Sequence, residues 1–158
     1  DPQGQGLVME RPTLVVSDPL REVIIERRGQ ATLRLRSPEG VLPPVIPWQG
    51  EDLKPGERVT LRLRPAAGPA GQGASLTLVA ASANVLAGYQ REKRRLGQHP
   101  QAWLAAIEGH LDHGDSARAW ALLFDAEAPA AAPLQQLRRQ VFSQGCGASP
   151  APAPAPDR

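Results

Sequence analysis

ATLRLR at Ala31–Arg36 and VTLRLR at Val59–Arg64 are the two stretches that decide the fold. In each, apolar and polar residues alternate with period two, the spacing of a strand whose successive side chains point to opposite faces. Ala31, Leu33 and Leu35 fall on one face of the first run, and Thr32, Arg34 and Arg36 on the other. In the second, Val59, Leu61 and Leu63 oppose Thr60, Arg62 and Arg64. Outward from this pair, further strands are predicted over Thr13–Val16, Glu22–Arg27, Val41–Trp48 and Ser75–Ala80, with Pro and Gly between them. Short strands at this spacing predict an Ig-like antiparallel β-sandwich of five to seven strands over residues 12–81. LKPGE, before the second run, is a turn in which Pro55 presets φ and Gly56 tolerates positive φ. VLPPVIPW, from Val41 to Trp48, holds three prolines and is therefore an edge or irregular strand. Residues 1–11, rich in Gly and Gln, read as a flexible N-terminus, and 66–74 as a flexible loop.

The period changes at Ser82. That residue can cap a helix running to Leu96, with Val85, Leu86 and Tyr89 inward, REKRR at its end and Gly97 as its stop. A second helix is predicted from Pro100 to His113 on the stripe of Trp103, Leu104, Ile107 and Leu111. Gly114 ends it, and Asp115 or Ser116 caps a third, in which Trp120, Leu123 and Phe124 share a face. Trp103 and Trp120 are expected to glue these two helices together. A fourth helix covers about Pro133 to Phe142. The whole is α+β: a sandwich over 12–81, a unit of three to four helices over 82–144, and a disordered Pro/Ala-rich tail over 145–158.

Composition narrows the function classes. Of the 18 basic residues only Lys54 and Lys93 are lysine, and Ala, Pro, Gly and Arg are all abundant, as a GC-rich genome would give. A net charge of +2 is too small to argue for nucleic acid, which is not an expected partner. No apolar run approaches the ~20 residues of a membrane-spanning helix. Cys146 is the only cysteine, so the fold does not rest on an internal disulfide. The start at Asp1 fits a chain from which a signal peptide has been removed, and a periplasmic or secreted location is expected, with a cytoplasmic one left open.

Four constellations carry candidate chemistry. If the two TLRLR strands are neighbours, Arg34, Arg36, Arg62 and Arg64 form a guanidinium patch able to hold carboxylate, phosphate or sulfate groups bidentately. Against this stands an ordinary solvated face, neutralised by Glu22, Glu26 and Glu57. Arg91, Arg94 and Arg95, with Lys93, form a basic cluster that either meets an anionic surface or compensates a helix dipole. Trp48 is either a stacking aromatic on the rim or a core residue. EGHLDHGD offers Glu108, His110, Asp112, His113 and Asp115; a small metal-dependent hydrolase would centre on His110 and His113, but no second ligand segment accompanies them. No nucleophile–base pattern, phosphate loop or GxSxG is present, so the chain reads as no enzyme and no cofactor or metal is expected.

Two resemblances add to this. Trp103, Gly114-Asp115, Ala119 and Ala126 resemble one degenerate tetratricopeptide unit. It departs from that pattern at Ile107 and His110, and has no second copy at a 34-residue period. WQGEDLKPGERVTLRLRP and ASLTLVAASANVLAGY, at 48–65 and 74–89, are similar to segments of extracytoplasmic, cyanobacterial-type bacterial proteins in which an Ig-like sandwich precedes a short helical array. The resemblance implies an envelope setting and transfers no catalytic residues. The expected function is a non-catalytic module that binds another envelope protein. The alternative is an anion- or polysaccharide-binding module using the arginine face.

Overall fold

A computed structural model describes residues 5–68 and 73–144. The proposed tail at 145–158, with Cys146, lies outside the described residues, as do 1–4 and part of the 66–74 loop. Among the described residues seven strands precede four helices: β1 Gln5–Val8, β2 Leu14–Val15, β3 Leu20–Arg27, β4 Leu33–Arg36, β5 Val45–Ile46, β6 Arg58–Pro65, β7 Ala74–Ala80, α1 Ala83–Leu96, α2 Pro100–Asp112, α3 Ser116–Leu123 and α4 Ala132–Gln144. The architecture is α+β, and the change of period at Ser82 is the change from sheet to helix.

The main sheet has the order β1-β7-β6-β3-β4. The two TLRLR runs flank β3 on opposite sides: Val23 lies between Leu35 and Leu63, and Ile25 between Leu33 and Leu61. A register shift between Leu20 and Glu22 lets Leu20 enter the core although Glu22, two residues on, faces out. The apolar face is covered by the β2–β5 ribbon and its loops, through Leu14, Leu42, Ile46 and Leu53. The second layer is therefore a two-stranded ribbon, and the main sheet is open. The predicted strand at Val41–Trp48 shrinks to Val45–Ile46, because Pro43, Pro44 and Pro47 bring no N–H to a ladder.

Two expectations are corrected. Residues 5–8 of the supposedly flexible N-terminus form β1, paired in parallel with β7, so the sheet is mixed and not purely antiparallel. Just beyond, Met9 is 5 % exposed and belongs to the helical core, beside Ala81, Leu86 and Tyr89. Burial of Met9 and partial burial of Val8, with pairing of the strand to β7, outweigh the Gly and Gln around them and offset the entropy lost in ordering a short segment.

The helices obey their capping signals, though Val85, expected inward, is 39 % exposed while Leu86 and Tyr89 are buried. Ser82 caps α1 by accepting from Val85 N, Asp115 caps α3 by accepting from Arg118 N, and Pro100 opens α2. Gly97 at φ +56 turns the chain out of α1, and its carbonyl accepts from Trp103 Nε1 at 3.0 Å. Trp103, Ile107, Ala119, Leu122, Leu123 and Leu134 make the helical core. Trp120 does not join them: it is 36 % exposed, which corrects its expected role as glue. Among the described residues no helix is long and apolar enough to cross a membrane.

Candidate functional site

Where the sheet meets the helices, β1 and the segment after it face α3 across a groove of about 430 Å³. Its apolar lining includes Leu7, Trp48, Trp120 and Phe124. Leu7 is 55 % and Trp120 36 % exposed, so the groove holds two of the six exposed large apolar side chains among the described residues. The two sides of the groove are tied together by connections between them. Thr13 Oγ1 donates to the Phe124 carbonyl at 2.9 Å, and Met9 is buried in the helical core. A more open depression of about 520 Å³ lies alongside, between Val45 and Arg138, and shares Phe124. Arg138 is occupied there, donating from Nε to the Leu123 carbonyl at 2.6 Å.

The polar residues of the groove form a network with one member left over. Tyr89 donates its hydroxyl to Asp125 Oδ2 at 2.7 Å. Burial first, then the Asp125 charge, push the phenol up, so it remains a protonated donor. Lys93 lies 2.8 Å from Glu127 Oε2 and 3.1 Å from Asp125 Oδ2, with its ammonium over the Tyr89 ring at 5.2 Å. Burial works against its charge, but the bonds to Glu127 and Asp125 outweigh it and raise its pKa. Arg11 pairs with Asp52. Glu10 receives no side-chain hydrogen bond among the described residues; burial, then the neighbouring Asp52, raise its pKa. An acid already short of partners, in a groove also lined by Asp125 and Glu127, is a place where a cation is favoured.

The structure brings the four sheet arginines together on the uncovered face. Arg36 and Arg64 lie opposite Glu22 from either side, and Arg34 and Arg62 opposite Ile24. They are contiguous but not unpaired. Glu22, its side chain 3 % exposed, sits 2.7 Å from Arg36 Nε, 3.3 Å from Arg34 Nη1 and 3.5 Å from Arg64 Nε. Arg62 Nε is 3.1 Å from Glu26 Oε1. The Arg36 hydrogen bond is the largest influence holding the Glu22 carboxyl below its ordinary range.

The basic run on α1 is split by the helix. Arg91, Arg94 and Arg95 are exposed, while Lys93 turns into the groove network. Glu92 turns the other way, 2.8 Å from His110 Nε2 and 3.0 Å from Arg118 Nε, and ties α1 to α2 and α3. His110 is thereby engaged, and His113 Nδ1 donates to the Gly109 carbonyl at 2.7 Å. Among the described residues no group of three or more His, Cys, Asp or Glu is placed to hold a metal ion, so the less favoured alternative of a metal centre on His110 and His113 finds no ligand set there. Trp48 is half-buried and fixed: its Nε1 donates to the Glu51 carbonyl at 2.9 Å, and Arg27 lies over the ring at 5.8 Å. Arg27 is in turn held by both Glu57 oxygens, at 2.7 and 2.9 Å.

Sequence reasoning missed Leu7, Glu10 and Asp125 as site residues. The signal for the first two was the LVM triplet followed by an acid in an otherwise polar segment. Asp125 carries no comparable signal, because its partners Tyr89 and Lys93 lie a helical hairpin away in sequence. No family model, no curated protein and no solved structure matches this chain.

Proposed function

We propose that this chain is a non-catalytic protein-interaction module of the bacterial cell envelope, and that it takes a short apolar segment of a partner protein, flanked by a Lys or Arg, in the groove between β1 and α3. One observation carries the reading: Leu7 and Trp120 are exposed in a groove that also contains Glu10, whose carboxylate receives no hydrogen bond among the described residues. Exposed apolar side chains gathered in one concave place, rimmed by charge, mark a contact surface more often than scattered ones do. Charge chooses the occupant. Lys93 is bonded to Asp125 and Glu127 and Arg11 to Asp52; both also act on Glu10 through space, but neither bonds to it, and burial and Asp52 still leave it with a raised pKa, so a further cation is favoured there. The envelope setting rests on the resemblance of residues 48–65 and 74–89 to extracytoplasmic bacterial proteins with an Ig-like sandwich and a short helical array.

The expected strength is modest. Burying one or two Leu- or Phe-sized side chains yields about 1.5–3 kcal/mol each. Set against the cost of association, that gain supports only weak binding, with a dissociation constant of about 1 mM or above for an isolated peptide. Fluorescence anisotropy with labelled peptides of the patterns apolar-x-apolar-Lys and apolar-x-apolar-Glu tests this. The Lys peptide should saturate, lose its binding in Trp120→Ser, and weaken toward the Glu peptide in Glu10→Gln. If the two peptides bind alike and neither substitution matters, or if only a small hydrophobic dye enters the groove, the reading is wrong.

A further inference from the structure

We infer that the uncovered face of the main sheet is a second, independent binding site, for a linear acidic polysaccharide bearing sulfate or carboxylate groups. The site is built by strand register. Arg36, Glu22 and Arg64 make one row across β4, β3 and β6; Arg34, Ile24 and Arg62 make the next. Strand geometry sets adjacent same-face rows about 7 Å apart and the outer arginines of a row about 10 Å apart. The result is a near-rectangular set of four arginine backbone positions, from which three guanidiniums converge on Glu22.

Glu22 is what makes the array more than a solvated face. It is buried within the row, and single nitrogens of three arginines reach it. One carboxylate cannot neutralise three guanidiniums, and each guanidinium carries five N–H donors in a fork. The remaining donors stay at the surface, where each of the three arginine side chains is about half exposed. Ile24, flanked in register by Arg34 and Arg62, is only 3 % exposed although it lies on the open face, as expected beneath the apolar stems of long neighbours. Both restraints remove rotamer freedom before any ligand arrives, which lowers the entropic cost of binding. Across the array four arginines face Glu22 and Glu26, so the face stays cationic.

The same face argues against the other polyanions. None of the side chains in these rows is aromatic, so bases of a single strand find no stacking platform. No large apolar side chain projects from them to enter a lipid surface, since Ile24 is covered. A flat array of forked donors matches repeated planar or tetrahedral oxyanions along a chain.

The test uses the whole protein with heparin and polygalacturonate as probes, and duplex DNA and phosphatidylglycerol vesicles as competitors of other classes. Arg36→Gln with Arg64→Gln, both exposed, should weaken polysaccharide binding at least about tenfold and flatten its dependence on salt. Arg91→Gln with Arg95→Gln removes the same charge from α1 and should change it less than twofold. Equal losses in the two double variants would show attraction by net charge alone and overturn the site. So would tighter binding of DNA or vesicles than of either polysaccharide. Circular dichroism of both variants, expected to be unchanged, excludes misfolding as the cause.

Discussion

Replacing Met9 with alanine removes a side chain that enters the helical core from the β1 side, where it is 5 % exposed beside Ala81, Leu86 and Tyr89. Core Met→Ala changes cost about 2–5 kcal/mol, from lost transfer energy and the cavity left behind. Met9 is 5 % exposed and lines the groove as well as the core, so we expect the lower part of that range, about 2–3 kcal/mol. For a chain of this size that corresponds to a fall in Tm of about 4–12 °C. Urea unfolding, followed by far-UV circular dichroism and by tryptophan fluorescence, measures it as a lower midpoint at unchanged slope. Leu7→Ala, two residues away but 55 % exposed, is the control and should stay within about 0.5 kcal/mol. If Met9→Ala is as mild as Leu7→Ala, the N-terminal segment does not tie sheet to helices, and the groove between them has no fixed wall.

Three further outcomes are expected. Glu10 has a raised folded-state pKa, so its neutral form is favoured in the fold; its cost is absent below the ordinary value of 4.5 and grows as pH rises through the folded one. Glu10→Gln should therefore stabilise the protein at pH 7 in thermal melts, with the gain vanishing on acidification. Glu22 has the opposite sign: its pKa is lowered, so its contribution is present above 4.5 and lost as pH falls through the folded value. Glu22→Gln should destabilise at pH 7 and converge with the parent below that range in the same melts. Gly97→Ala, at φ +56 beside the Trp103 hydrogen bond, should cost about 1–3 kcal/mol in the urea assay.

How much of this was legible in the sequence follows from how local each signal is. The TLRLR alternation placed Leu35, Leu61 and Leu63 on the core side of their strands and Arg34, Arg36, Arg62 and Arg64 on the other, because the strand period is a property of the backbone alone. The caps at Ser82 and Asp115 are equally local. Partner choice is not. That β1 adds in parallel to β7 depends on Leu7-Val8-Met9 finding an edge more than sixty residues away, and a Gly/Gln-rich segment hides that. Trp120 lay on an apolar stripe in the sequence, yet the stripe is wider than the core it covers, and the surplus side chain is what lines the groove. The arginine patch was legible as a face but not in its wiring. Glu22 meets it only because a register shift after Leu20 turns that carboxylate outward.

Backbone and indole chemical-shift mapping of the intact chain, titrated with the apolar-x-apolar-Lys peptide, bears most directly on the groove as the partner site. The account predicts saturating shifts at Leu7, Glu10 and the Trp120 indole, with Arg34 and Arg64 unmoved. Shifts confined to the arginine face, or an unmoved Trp120 indole at saturation, would contradict it.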